Sequence, residues 1–296
     1  MTTTHIHKSG FVNIIGNPNV GKSSLLNALV GERLAAINQK AQTTRHRIFG
    51  IYNDPDYQIV FSDTPGVIKP AYLMQQTMMS YVHQALQDAD VFLFMAALGE
   101  RHFGDEAVLE SLRHTTTPLV VAVNKVDLGD QPAVQRDLEY WSEQFPNAVH
   151  CLPLSVITGY NVPTLFEYIK ELIPPGPEWF PKDQITDKSE RFIVSEIIRE
   201  KIMSNYRQEV PYAVQVEVES FKEDEKIIRI RAVIICERQS QKSIIIGKKG
   251  EMLKKVGMQA RKDIEQFFGK QVFLETFVKV DKDWRDDERK LRKYGY

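Results

Sequence analysis

Residues 16–24 read Gly-Asn-Pro-Asn-Val-Gly-Lys-Ser-Ser, matching the G-x-x-x-x-G-K-[ST] pattern at every position, and they follow an apolar run at 11–15. A strand, a tight loop and a helix in that order point to a doubly wound α/β sheet whose loop N–H groups converge on an anion. Gly16 and Gly21 allow the sharp turn, while Asn17, Pro18, Asn19 and Val20 form the loop itself. Lys22 is placed to reach outer phosphates, and the hydroxyl of Ser23 to hold a Mg²⁺ ion, with Ser24 beside it at the helix start. A nucleotide site is therefore expected, though this loop alone does not select the base.

The chain has 296 residues, enough for one large domain and a second smaller one. Its net charge of −1 points to no partner, but the charge is unevenly distributed. Residues 181–296 carry 26 Lys and Arg against 21 Asp and Glu, so the C-terminal part is the candidate for meeting an anionic partner. Cys151 and Cys236 are far apart without metal-ligand spacing, which predicts free thiols in a reduced, cytosolic setting. Residues 1–10 lack the apolar core of a signal peptide, and no apolar run reaches membrane-spanning length. His5 and His7 read as part of a solvated terminus rather than a metal pair.

After a helix carrying Leu25, Leu26 and Leu29, residues 38–47 are polar and aperiodic, a surface loop suited to switching. Thr43 or Thr44 could add a hydroxyl to the Mg²⁺ shell. Strands are expected at 48–52 and 58–61, followed at once by Asp63-Thr64-Pro65-Gly66. Asp63 at a strand end can hold a metal-bound water, and Gly66 can bring its N–H to a terminal phosphate. Val67 stands where a Gln could orient an attacking water, and it cannot hydrogen-bond.

Helix, strand and helix patterns at 72–86, 91–97 and around Val108, Leu109 and Leu112 lead to a strand at 119–123 that ends in Asn124-Lys125-Val126-Asp127. The Asp127 carboxylate can accept from the N1–H and 2-amino group of guanine, whereas adenine presents an acceptor there. A buried oxygen left facing an acceptor costs on the order of 1–3 kcal/mol, so GTP is favoured over ATP. Lys125 would lie along the base, and Asn124 would tie loops together. A last strand at 149–154 ends in Ser155-Val156-Ile157-Thr158-Gly159, whose N–H groups can reach the guanine carbonyl, and a helix at 162–173 closes the domain.

The ordered set GNPNVGKSS, TTR, DTPG, NKVD and SVITG resembles the translation-factor-type GTPases, in the group with a hydrophobic residue after DTPG. That family usually has Ala where Val156 stands, but the group required is a backbone N–H. The resemblance implies that Lys22, Thr44 and Gly66 are catalytic, with Thr44 rather than Thr43 on Mg²⁺. It also places Asn19 where potassium-stimulated members coordinate K⁺; a loop-bracing amide is the alternative. Unaided turnover should be slow, with Arg45 either an arginine finger or a phosphate or RNA contact.

The proline-rich stretch 174–181 cannot continue a helix or central strand, so the division expected is 1–173 for the GTPase domain, 174–187 for a semi-rigid linker and 188–296 for a second domain. There a helix at 189–205 presents Ile193, Ile197, Ile198 and Ile202 on one face. Alternating strands with Tyr212, Val214, Val216 and Val218, and at 228–234, flank a turn at 222–225. Then come the apolar turn ending in Ile246, the loop Gly247-Lys248-Lys249-Gly250, a long helix and a strand at 272–280. A G-x-x-G loop in this order of elements matches the prokaryotic-type KH fold, an α+β domain that clamps single-stranded RNA. Between Lys242 and Lys262 stand seven basic residues, Lys254 among them, and one acid, Glu251.

One GTPase domain joined to this module resembles the bacterial Era family over essentially the whole chain, including residues 284–292. The resemblance implies a monomer that binds GTP or GDP with Mg²⁺, hydrolyses GTP and binds the 3′ tail of small-subunit ribosomal RNA during assembly of the small ribosomal subunit. It also implies a cytoplasmic setting, with peripheral contact at the inner membrane face. The alternative is a regulatory GTPase whose basic domain meets a protein or membrane surface instead of RNA. A third reading makes the protein an RNA-binding module with a merely structural GTPase domain.

Overall fold

The computed structural model describes residues 6–296, so His5 lies outside the described residues. Through residue 172 the chain runs β1 (Lys8–Gly16), α1 (Lys22–Val30), β2 (Ile48–Asn53), β3 (Tyr57–Asp63), α2 (Leu73–Ala85), β4 (Val91–Ala97) and α3 (Glu106–Arg113). It continues with β5 (Leu119–Asn124), α4 (Gln131–Gln144), β6 (His150–Pro153) and α5 (Val162–Leu172). The strands form one sheet in the order β2-β3-β1-β4-β5-β6, parallel throughout except for the antiparallel β2–β3 pair. The inner strands β4 and β5 read as continuous apolar runs because helices cover both faces. Order reverses on either side of β1, which opens the crevice beyond its carboxyl end where a ligand site is expected.

The polypeptide packs as two units: residues up to 35 with 44–70 and 77–187, and residues 36–43 and 71–76 with 188–296. The proline-rich stretch pairs along the first unit. Lys8 bridges Pro175, Gly50 bridges Thr186, and His7 Nδ1 lies 3.0 Å from the carbonyl oxygen of Gly176. Residues 36–43 and 71–76, expected by position in the GTPase domain, instead pack with 188–296.

In the second unit the elements are α6 (Glu190–Asn205), β7 (Gln215–Glu223), β8 (Ile227–Cys236), α7 (Gln239–Ile246), α8 (Glu251–Phe268), β9 (Gln271–Val280) and α9 (Glu288–Lys293). Strand β8 lies between antiparallel β7 and parallel β9. The core gathers Ile193, Ile198 and Ile202 of α6 with Val256, Ala260 and Ile264 of α8 and Ile230, Ile234 and Val272 of the sheet.

Two local expectations change. Residues 210–212 form a 3₁₀ turn instead of extending the strand, because Pro211 offers no N–H to a ladder, and the polar turn moves to 224–226. The apolar segment before the G-x-x-G loop is the helix α7, with Ile245 buried and Ile244 exposed. Trp284 closes the C-terminal end, wholly buried with Nε1 donating to the Ala213 carbonyl at 3.1 Å.

Among the described residues no helix is long and apolar enough to cross a membrane. Cys151 and Cys236 are both free.

Candidate nucleotide and nucleic-acid sites

The end of β1 can turn into α1 only without side chains at its glycines. A Cβ on Gly16 would collide with the Met95 carbonyl oxygen, and one on Gly21, at φ 107°, with the Asn124 amide. The Asn124 amide in turn donates to the Val20 carbonyl at 2.7 Å, and its oxygen accepts from the Val156 N–H at 3.1 Å. One buried side chain thus ties the phosphate loop to the 155–159 loop.

Three oxygen-bearing side chains converge at the mouth of the loop. Ser23 Oγ lies 2.8 Å from Thr44 Oγ1 and donates to Asp63 Oδ2 at 2.6 Å, and Thr44 Oγ1 donates to the same oxygen at 3.2 Å. Asp63 Oδ1 is buried and has no partner among the described residues. A buried carboxylate oxygen without a donor is costly, and two hydroxyls beside it make a hard-oxygen set that suits Mg²⁺. Burial pushes the Asp63 carboxyl up, while Lys22 and the two hydroxyls oppose that shift. Thr43, by contrast, spends its hydroxyl on the Lys40 carbonyl at 2.6 Å.

Lys22 is buried, and its ammonium donates to the carbonyls of Gly16 at 2.9 Å and Asn17 at 2.8 Å. Burial pushes it down to about 8, against the pull of Asp63 and Glu100. Glu100 has no signal in the sequence. Its Oε1 accepts from the Asn17 amide at 2.9 Å, and that amide also donates to the His102 carbonyl at 2.7 Å while its oxygen takes the Gly104 N–H at 2.9 Å. Asn17, expected only as a loop position, is the clamp between the phosphate loop and residues 100–104.

Thr64 is buried with its hydroxyl on the Ile14 carbonyl at 2.8 Å, Pro65 is buried beside it, and Gly66 stands against Pro18, where an added Cβ would lie 2.6 Å from backbone. Val67 is buried in the core against Phe94 and Phe103, and its N–H donates to the Gly16 carbonyl at 3.1 Å. Arg45 is wholly buried, so its side chain does not reach out to meet RNA. Asn19 is exposed at φ 66°, and its amide makes no hydrogen bond among the described residues, which argues against the loop-bracing role.

In the two loops expected to meet the base, Lys125 sits at φ 63° and Ser155 Oγ donates to Asp127 Oδ1 at 2.6 Å. The N–H groups of Ser155, Val156 and Thr158 are taken by the Tyr160 carbonyl, Asn124 Oδ1 and Ser155 Oγ. Those of Ile157 and Gly159 have no hydrogen-bond partner among the described residues, and the Ile157 side chain is exposed.

In the second unit, Gly247 at φ 72° and Gly250 at φ 80° bracket Lys248 and Lys249, both exposed. A Cβ on Gly247 would lie 2.7 Å from Met252 Cγ. Ile246 and Lys242 are half-buried and Lys254 is exposed on α8. None of the four lysines makes an ion pair among the described residues, so their charge is available to an anionic chain. Tyr206 Oη donates to the Ile245 carbonyl at 2.6 Å and anchors α7 just before the loop; burial pushes the phenol up to about 12.

The family model described as "50S ribosome-binding GTPase" matches residues 11–125, and that described as "KH domain" matches 209–285. The chain is 45% identical over 296 residues to the GTPase Era of Caldanaerobacter subterraneus subsp. tengcongensis, covering 98% of each. It is 44% identical over 298 residues to that of Geotalea daltonii, covering 100% of each. Among solved structures it is similar to Era in complex with MgGDPNP and nucleotides 1506–1542 of 16S ribosomal RNA, at TM-score 0.93 and 37% identity over 98% of this chain and 99% of that one. A variant of Aquifex aeolicus Era bound to GDP.AlF4⁻ gives TM-score 0.92, with the same identity and coverage. With both domain models in order and this identity along its whole length, the chain belongs to the Era family of GTPases.

Proposed function

We propose that this GTPase uses Mg²⁺ to bind GTP and hydrolyse it to GDP and phosphate, and that it binds the single-stranded 3′ tail of small-subunit ribosomal RNA through the G-x-x-G loop during assembly of the small ribosomal subunit. One observation carries this reading: the Era structure that matches 98% of this chain holds MgGDPNP and nucleotides 1506–1542 of 16S ribosomal RNA. The unpaired Lys248 and Lys249 between two left-handed glycines and the Ser23, Thr44 and Asp63 cluster support it from this chain's own residues.

In this mechanism the loop N–H groups and Lys22 hold the phosphates, Ser23 and Thr44 supply hydroxyl ligands, and Asp63 acts through water. The metal ion, when bound, neutralises charge that develops on the phosphate oxygens. Gly66 offers its N–H to the terminal phosphate. Val67 is buried and cannot orient the attacking water, so intrinsic turnover is slow. Asp127, oriented by Ser155, selects guanine. Asn19 is the candidate ligand for a stimulating K⁺.

The setting is cytoplasmic and the working form a monomer; contact with the inner membrane face would be peripheral. The test is titration of the protein with a ribosomal 3′-tail oligonucleotide in the presence of Mg²⁺ and either GDPNP or GDP. Tighter binding in one nucleotide state is expected. Equal affinity for the tail and for unrelated polyanions, with one common salt slope, would favour a protein or lipid partner instead.

A further inference from the structure

Helix α6 should be amphipathic, with four isoleucines turned to the core, yet Glu196, Arg199 and Glu200 on its other side are also buried, at 5%, 1% and 5% exposure. Within the same unit, residues 36–43 lie on that side. The Arg199 guanidinium donates to the carbonyls of Thr43 and, at 3.4 Å, Gln42, while its Nε donates to Glu196 at 2.8 Å. Glu200 accepts from the Ile37 N–H at 3.2 Å, and Asn38 donates to Ser204 Oγ at 3.0 Å. Lys40 caps the helix end on the carbonyls of Met203 and Tyr206. Tyr72 Oη, under the Arg285 guanidinium, donates to Gln42 Oε1 at 3.0 Å.

A guanidinium withdrawn from water is tolerated only while its planar fork is filled. Here the fork is filled by a carboxylate on its own helix and by two successive backbone carbonyls of a polar loop. The peptide unit that begins at the Thr43 carbonyl is planar and ends at Cα of Thr44, about 3.8 Å from Cα of Thr43, so holding that carbonyl restricts where residue 44 can stand. Thr44 is the residue whose hydroxyl joins Ser23 and Asp63.

We propose that Arg199 is a positioning residue for the GTPase reaction: by clasping the carbonyls of Gln42 and Thr43 it holds Thr44 where the triphosphate state needs its hydroxyl. This rests on the reading above, in which Thr44 supplies a hydroxyl to the metal shell, and it adds that this ligand is engaged with GTP and not with GDP. The clasp therefore acts on one nucleotide and not the other. By linkage, whatever strengthens it also favours the GTP-bound state.

Arg199→Lys keeps the charge beside Glu196 but not the fork, and the other ties of residues 36–43 remain. The full chain is titrated with GDPNP and with GDP, each with Mg²⁺. GDPNP should bind roughly tenfold more weakly than to the parent chain, while GDP affinity changes by less than about twofold. Hydrogen exchange at 36–44 should rise in the GDPNP state alone. Equal loss for both nucleotides, or no change for either, overturns the proposal. Glu196→Gln, which leaves Arg199 in place but removes the carboxylate charge and one of its two acceptor oxygens, should show the same split in smaller measure and serves if the lysine variant does not fold. A parent protein that fails to hydrolyse GTP would defeat the underlying reading instead, whatever the variants show.

Discussion

Ser155 Oγ and Asp127 Oδ1 are 2.6 Å apart, and the hydroxyl is the donor. In the proposed mechanism this bond orients the carboxylate that would read guanine. Ser155→Ala should weaken GDP binding by roughly three- to tenfold, the worth of one net hydrogen bond, and Asp127→Ala by roughly a hundredfold or more because two charge-assisted bonds are lost. Fluorescent-nucleotide titration measures both, and equal losses in the two variants would mean that Ser155 does more than orient.

Gly66 stands against the backbone of Pro18, with 2.6 Å between an added Cβ and both Cα and N of that residue. Backbone cannot yield as a flexible side chain does, so Gly66→Ala must displace the segment that, in the proposed mechanism, offers its N–H to the terminal phosphate. Phosphate release should slow by roughly tenfold or more, in keeping with an overpacking cost of ~1–3 kcal/mol. GDP affinity should fall less, because no terminal phosphate is involved.

Asp88 accepts from Arg47 at 2.6 and 2.8 Å and from the Asn13 amide at 2.8 Å. Burial works to raise its carboxyl, but these bonds outweigh it and hold the group below the usual carboxylate range. A depressed folded-state value means stability that is present above the unfolded value and lost as pH falls through the folded one. Asp88→Asn should therefore lower Tm at neutral pH, and the gap to the parent chain should close as pH drops below about 4. A gap independent of pH would mean that the charge is not what matters.

Lys248 and Lys249 are exposed at the tip of a loop whose shape is set by its glycines, so replacing both with Gln should leave the fold intact. If each meets one phosphate, affinity for the single-stranded 3′ tail falls and the slope of log K against log salt becomes shallower by about 1.4. Weakened binding at an unchanged slope would indicate contacts to bases or sugars instead.

Several element boundaries were fixed by local residue patterns. Helix α6 ends at Asn205 as its apolar spacing implies, and β4 covers Val91–Ala97 because seven residues without a breaker are bounded by polar turns. Where a strand was expected through Tyr212, Pro211 removes a ladder donor and a 3₁₀ turn forms. The apolar stretch before Gly247 reads as a turn from so few residues, but it is the helix α7, with Ile245 buried and its carbonyl accepting from Tyr206 Oη.

The chain's linear order determined the nucleotide loop, the choice of guanine and the RNA-type loop, because each depends on a few adjacent residues whose backbone N–H groups and side chains act together. Only tertiary structure decided what supports them. The clamp from Asn17 to Gly104 joins positions 87 apart, and the bond from Arg199 to Thr43 joins positions 156 apart. Neither carries periodicity or a motif. A buried Asn, Glu or Arg reads in sequence as a solvated polar residue, and its partners become known only when folding brings distant backbone groups within hydrogen-bonding reach.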